Sequence, residues 1–295
     1  MKADAPRDNL KGGAWLIADL SLNIWALSIV KWLGADYPST QIVFIRALTG
    51  LILIAPLIWM QRAAFRNVED LGFHALRVAL SVITLTASFF AIARVPFAIF
   101  TALNFTRPVV TMVMAALLLR EVIGPRRWIA AGVALVGVVI AANPTEVPWS
   151  VGMAALVVVI ITGSGAIIAT RRLRAAPPIV LMTFYTAGLA ACTAPFSLAT
   201  WTPLDPAHIL PLLLVGAFSQ LAQLCFLRAH YHGEAGFLSV LSYLSLVLSV
   251  SVGYFVFAEI PGIEFALGAV LVIAAALWVT LGPKSLTPDQ GGKQL

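Results

Sequence analysis

Charged residues are scarce in this chain. Only 11% of its 295 residues are Asp, Glu, Lys or Arg, 60% are hydrophobic, and the mean hydropathy is +0.95. A water-soluble domain carries about 25% charged and about 45–50% apolar residues, so a soluble fold is excluded. Cysteine is nearly missing. The two present, Cys192 and Cys225, lie inside apolar runs and offer neither a disulfide framework nor a CxxC metal site. Histidine is sparse too, and Arg228-Ala-His230-Tyr-His232 reads as a basic cytoplasmic turn, because no further metal ligands accompany it. The net charge of +6 does not signal nucleic acid, since the basic residues form no patch with interleaved aromatics. The tail Met1–Leu10 is polar with mixed charge, and the apolar run after it is too long and too polar for the core of a signal peptide. No His/Glu/Asp cluster or serine–base pair falls within the apolar runs. An intramembrane enzyme is therefore disfavoured, and no cofactor is implied.

What the chain has is long apolar runs. Ten spans are expected: Lys11–Gly34, Pro38–Met60, Phe73–Ala93, Pro96–Leu119, Pro125–Ala142, Ser150–Thr170, Pro177–Ala199, Ala207–Leu227, Ala235–Ala258 and Gly262–Leu281. Pro38, Pro96, Pro125 and Pro177 stand at or near the first turn, where a missing N–H costs nothing. With the N-terminus in the cytoplasm and ten crossings, fifteen of the nineteen basic residues fall inside, among them Arg62, Arg66, Arg77, Arg120, Arg126, Arg127, Arg171 and Arg172. The outer turns Asn143–Trp149, Thr200–Pro206 and Glu259–Pro261 carry none, as the positive-inside rule requires. Both termini are expected in the cytoplasm.

The chain also repeats itself. Ala91–Glu121 and Ala229–Glu259 share a layout of helix end, polar turn, long apolar helix and closing Glu, offset by 138 residues. An odd number of spans per half forces the halves to enter the membrane in opposite directions. The fold class expected is an all-α membrane protein, with residues 1–145 as the first five-helix repeat and 146–295 as the second, inverted one.

Two stretches, LLLREVIGPRRWIAAGVALVGVVIA at Leu117–Ala141 and VFAEIPGIEFALGAVLVIAAALWV at Val256–Val279, resemble the paired repeat ends of the drug/metabolite transporter superfamily, EamA type. Within it the chain is most similar to bacterial amino acid exporters, notably the YddG-type exporters of aromatic amino acids. The resemblance implies a central cavity walled by spans 1–4 and 6–9, with spans 5 and 10 outside it. It also implies export from the cell and a cargo like an amino acid. Many relatives have Glu-Pro in the fourth span, where this chain has Arg107-Pro108.

Polar residues within spans nominate the cavity wall. Asp19 is the one acidic residue deep in a span, roughly 12 Å in from Lys11, and Arg107 lies roughly 16 Å from the outer end of span 4. An isolated charge at that depth costs about 2.5–3.5 kcal/mol, so each needs a partner or a wet cavity. Asp19 is expected either to clamp Arg107 or Arg46, or to serve with one of them as a substrate contact. Phe100, Asn104, Arg107 and Thr111 share a stripe on span 4, and Pro108 frees the Asn104 carbonyl beside it. Ser81, Thr84 and Ser88 share a face of span 3. Span 1 adds Asn23, span 8 Gln220 and Gln223, and span 9 Ser239, Ser242 and Ser249. Each Ser or Thr alone is explained by helix–helix hydrogen bonding; stripes from both halves favour a shared cavity. A zwitterion suits it, with Arg107 or Arg46 for the carboxylate, Asp19 for the amine, and Tyr185, Phe100 or Trp25 against the body. Gly163-Ser-Gly165 is expected to allow close packing, Glu121 and Glu259 to cap helix starts, and Gly132, Gly137 and Gly268 to form close contacts or a dimer face.

The expectation is an inner-membrane secondary transporter working by alternating access on a small, amino acid-like molecule. It would be bathed in membrane lipid, as a monomer or weak homodimer, without nucleic acid, metal or cofactor. The rival readings are a channel-like facilitator and a non-transporting scaffold, which would leave the polar stripes without a reason.

Overall fold

The computed structural model describes residues 8–66, 68–118, 125–142, 149–173, 176–232, 241, 244–260 and 262–281. Among the described residues the regular structure is entirely helical. The helices are α1 (Asn9–Leu33), α2 (Ser39–Met60), α3 (Leu71–Ile92), α4 (Phe97–Asn104), α5 (Arg107–Leu118), α6 (Pro125–Ala142), α7 (Val151–Arg172), α8 (Pro178–Ala199), α9 (Pro206–His232), α10 (Leu244–Phe257) and α11 (Ile263–Leu281), with a 3-10 turn at Arg62–Phe65. Among the described residues seven stretches are long and apolar enough to cross a membrane, and Trp128–Ala141, Leu248–Phe257 and Ile263–Ala275 are shorter apolar helices.

Local chemistry sets the starts. The Asp8 carboxylate accepts the Lys11 N–H at 3.0 Å, which satisfies an orphan donor of α1 and holds the Asp8 carboxyl below its usual range. The Ser150 hydroxyl does the same for Met153 at the head of α7. Pro38, Pro96 and Pro177 immediately precede α2, α4 and α8, where extended backbone turns into helix.

Two expectations about these elements need correction. The fourth span is not one helix: it unwinds at Phe105–Thr106, between α4 and α5. Pro108 has no N–H to give the Asn104 carbonyl, and the Thr106 hydroxyl bonds back to the Leu103 carbonyl at 2.7 Å. Arg228–His232 is not a turn, because α9 runs on through it. There the Arg228 guanidinium lies 4.8 Å from the Trp15 ring centre.

Pairing of helices builds the bundle. α1 packs on α9, α3 on α7, α2 on α8 and α9, α4 on α10, α5 on α7, and α6 on α11. The last contact is close because Gly137 and Gly268 face each other's backbone, where a Cβ on either would collide. Those two glycines are therefore committed within the chain, while Gly132 faces open space.

Most of the fully buried core lies towards one end, with Ile54, His74 and Leu189 the larger side chains buried elsewhere. Val30 and Leu33 close α1, Ile42 and Val43 open α2, Ile92 ends α3, Phe97 begins α4, Leu156 lies in the second turn of α7, and Leu212 in the second turn of α9. These positions all belong to the same end of an antiparallel bundle, here called the Lys31 end. Large apolar side chains on the outer faces of the helices point outward: Phe255 is 82% exposed, Leu117 73% and Trp59 73%. Such faces are stable against hydrocarbon and costly against water.

A polar cavity sealed at one end

A cavity of about 660 Å³ runs through the centre, walled by α1–α5 and α7–α10. Of the side chains nominated from sequence, Asn23, Arg46, Ser81, Thr84, Ser88, Phe100, Asn104, Arg107, Tyr185, Gln220 and Gln223 line it, and Ser249 does too. The period of the stripes explains this: on α3, Ser81, Thr84 and Ser88 recur at helical spacing and turn inward together. Thr84 is anchored to α7 through the Thr162 hydroxyl at 2.7 Å. Thr111 does not line the cavity and is buried. Ser239 and Ser242 lie outside the described residues.

Two nominated residues take other places. Trp25 is 50% exposed and does not line the cavity. Asp19 is only 6% exposed and also lies off the wall, its carboxylate accepting from Asn23 Nδ2 at 2.7 Å. Among the described residues it forms no ion pair with Arg107 or Arg46. The reason is local. Asn23 stands one turn along the same helix and reaches the carboxylate first, and α1 packs on α9, whereas Arg107 opens the α5 that packs on α7.

Three arginines reach the wall from different helices. Arg46 of α2 points its Nη1 at the Tyr185 hydroxyl, 3.4 Å away, with its guanidinium 5.9 Å from the ring centre. Arg77 of α3 lies 5.7 Å from the same ring and donates to Thr170 Oγ1 (2.7 Å) and the Leu181 carbonyl (2.9 Å). The Arg107 guanidinium lies over Gly163 of α7, so close that a Cβ there would stand 2.6 Å from Nη2. The expected close approach at Gly163-Ser-Gly165 thus admits a side chain, while the Ser164 hydroxyl donates to the Arg107 carbonyl at 3.3 Å. Among the described residues, the buried Nε atoms of Arg46 and Arg107 have no hydrogen-bond partner.

The wall also includes Arg77, Thr101, Gly163, Thr170, Thr186 and Ser219, which the sequence reading left out. For Arg77 a signal existed: it stands four residues before Ser81 on the same inward stripe, although its place near a helix start suggested a purely topological role.

The two ends differ. Away from the Lys31 end, the wall residues Asn23, Gln223 and Phe226 are exposed. Towards the Lys31 end, Phe97, Phe100, Ser88 and Ser249 are buried, and Phe97 stacks on Phe257 with centres 6.0 Å apart. A polar lattice lies beyond them. Lys31 Nζ meets Glu259 Oε1 at 3.0 Å and donates to the Val95 carbonyl at 2.7 Å, while Glu259 Oε2 accepts the Phe97 N–H at 2.7 Å. The cation thus sits on carbonyls at the end of α3 and the anion on an amide at the start of α4, each at the helix end its charge favours. Glu259 does cap a helix start, as expected of it, but that of α4 and not of the helix it precedes. Ala258, at φ 54°, turns the chain back so that the Glu259 N–H bonds to the Gly253 carbonyl at 2.9 Å. Alongside, Gln41 exchanges two hydrogen bonds with the backbone of Thr202 (2.8 and 2.9 Å), and the Tyr37 hydroxyl meets His208 Nδ1 at 3.0 Å.

Comparison with known proteins agrees with this architecture. A crystal structure of a protein 18% identical in sequence superposes with a TM-score of 0.66, covering 93% of this chain and 98% of that one, which shows the fold. An S-adenosylmethionine uptake transporter of Rickettsia felis is 24% identical over 95% of this chain and 96% of its own. A riboflavin transporter of Brucella anthropi is 27% identical over 84% and 91%, and a pseudopaline exporter of Pseudomonas aeruginosa 26% identical over 92% and 96%. The EamA-like transporter family matches twice, over residues 14–143 and 149–281. The chain therefore belongs to the EamA-like transporter family, multi-pass membrane transporters and not enzymes.

Proposed function

We propose that this protein is a bacterial inner-membrane secondary transporter that exports a small metabolite by alternating access through the central cavity. The observation that carries the reading is a cavity striped with polar side chains, sealed at the Lys31 end and exposed at the other. A carrier needs one site reachable from one side at a time; a facilitator with a permanent path would lack the Phe97–Phe257 and Lys31–Glu259 seal. The exposed mouth lies at the end where Lys11, Arg62, Arg66, Arg172 and Arg228 gather, which the positive-inside rule assigns to the cytoplasm. A carrier resting open on that side loads there, which suits export. The relatives include both an uptake transporter and an exporter, so direction rests on the cavity and not on them.

The ten-span, two-repeat organisation is part of the same reading. Its support is the paired family match and the packing: exchanging each span for the one five later turns the α1–α9 contact into the α7–α3 contact and leaves α2–α8 and α6–α11 unchanged. The test is a proteoliposome flux screen over amino acids and related metabolites, with and without a pH gradient, in vesicles of known orientation. Saturable, one-sided loading from the mouth supports the carrier. Flux that never saturates favours the facilitator, and no flux of any solute ends the transport reading. A C-terminal reporter active only in the periplasm would reverse the proposed sidedness.

A further inference from the structure

We propose that the cargo is a small organic anion carrying two negative charges and an apolar body, not a zwitterion or a cation. This rests on the carrier reading above and specifies its substrate class. The cavity wall gathers three guanidinium groups, Arg46, Arg77 and Arg107, and among the described residues it includes no Asp, Glu or His. Two of them flank one ring: Arg46 and Arg77 lie 5.9 and 5.7 Å from the centre of Tyr185. The amine partner a zwitterion would need is not on the wall. Asp19 is buried behind Asn23, whose amide takes up one carboxylate oxygen at 2.7 Å.

The arginines also differ in what they already hold. Arg77 is engaged by Thr170 and the Leu181 carbonyl. Arg46 has only the long contact to Tyr185, and the buried Nε atoms of Arg46 and Arg107 have no partner among the described residues. Guanidinium groups present planar, two-pronged donor faces that match carboxylate or phosphate oxygens. Arg46 and Arg107 both line the cavity, with no carboxylate on its wall among the described residues, and two such groups call for two anionic groups. A single carboxylate would leave the wall strongly positive, and a sulfonium such as that of S-adenosylmethionine would be repelled. Ile24, Leu27, Phe97 and Phe100 line the same cavity and provide an apolar surface for the rest of the molecule. The volume of about 660 Å³ lies within the range of small-molecule sites.

Three probes built on one phenyl ring separate the possibilities: phenylsuccinate (doubly negative), phenylalanine (zwitterionic) and phenethylammonium (positive). Binding is measured by thermal shift and titration calorimetry on the full chain in nanodiscs of neutral lipid, so that lipid phosphate in solution does not compete, at fixed ionic strength. Phenylsuccinate is expected to bind at least tenfold more tightly than phenylalanine, and phenethylammonium not at all. Arg46→Gln and Arg107→Gln are each expected to weaken phenylsuccinate at least tenfold, with Trp25→Phe unchanged. Should a glutamine variant fail to fold, Arg46→Lys and Arg107→Lys, which keep the charge but lose the fork, are expected to weaken it several-fold. Tighter binding of phenylalanine or phenethylammonium overturns the proposal, as does phenylsuccinate binding that ignores the arginine variants or is missing at millimolar concentration. Flux in proteoliposomes keeps the two readings apart. Transport of phenylalanine without phenylsuccinate sinks the anion and leaves the carrier; binding of phenylsuccinate with no flux of any solute does the reverse.

Discussion

Neutralising Glu259 should open the seal at the Lys31 end. The pair it forms with Lys31 is 3.0 Å long, with side chains 15% and 19% exposed, neither free in solvent nor fully desolvated. Exposed pairs contribute about 0.2–1 kcal/mol, and removing one partner of a buried pair costs about 3–5 kcal/mol. Glu259→Gln keeps an oxygen to accept the Phe97 N–H, and it leaves Lys31 donating to the Val95 carbonyl. What is lost is the ionic part alone, about 1–2 kcal/mol, or roughly a tenfold shift from sealed towards open. Lys31→Met removes more, since the carbonyls of Val95 and Ile92 lose their donor as well, and about 2–3 kcal/mol is expected. A charge swap should not rescue the seal. A glutamate at 31 would face those carbonyls, and a lysine at 259 would face the Phe97 N–H, so each charge would sit at the helix end that repels it.

The assay is labelling by a membrane-impermeant thiol reagent applied from the Lys31 side. Cys192 and Cys225 are the only cysteines in the sequence, so replacing both clears the background. Ser88→Cys then places a thiol on the wall where it is buried by the seal. Labelling should be faster in Glu259→Gln than in the parent, and faster still in Lys31→Met. Unchanged rates in both variants, with melting temperatures intact, would refute the idea that this lattice holds the end shut.

Two further outcomes follow from the site. Gly163→Ala should displace the Arg107 guanidinium, the flexible end of a side chain, so transport or ligand affinity should fall while the melting temperature moves little; equal loss of both would show that the glycine serves packing instead. The effects of Asp19→Asn and Arg107→Gln on stability should add within about 0.5 kcal/mol in a double-mutant cycle, because the two side chains are not in contact; rescue of one by the other would restore the clamp.

Much of this organisation is legible in the sequence because membranes simplify the code. Apolar length marks the spans, proline marks several starts, and helical period brings Ser81, Thr84 and Ser88 to one wall. The failures have physical causes. The break at Phe105–Thr106 is hidden because the apolar run continues through it, although Pro108 announces it. By sequence Arg77 reads as a charge beside a helix start, yet one residue can both stand near a helix end and turn inward. Asp19 was matched to an arginine by charge and depth, but depth along the membrane says nothing about which helices touch, and Asn23 one turn away satisfied it more cheaply. The Lys31–Glu259 contact joins opposite halves of the chain and leaves no local pattern. Only the packing of α1, α3, α4 and α10 brings it together.

The relatives carry one architecture and different cargoes: at 24–27% identity they are a transporter of S-adenosylmethionine, one of riboflavin and one of pseudopaline. Cargo must therefore reside in the few side chains of the wall, and here those are cationic. That charge bears on the cycle as well as on recognition. In the alternating-access reading proposed above, exposing the site at the Lys31 end requires the other mouth to close and shed water from the wall. Drying a guanidinium without a counter-charge costs several kcal/mol, and Arg46 and Arg107, which lack the bonds that engage Arg77, share this cavity. On that reading an empty carrier would bear most of that cost at closure and would favour the open state. The proposed dianion would supply counter-charge and hydrogen bonds at the moment water leaves, and so would lower the barrier to closure for the loaded state alone. The arginines would then select the cargo and license the movement by one and the same interaction, which is how a carrier avoids cycling empty.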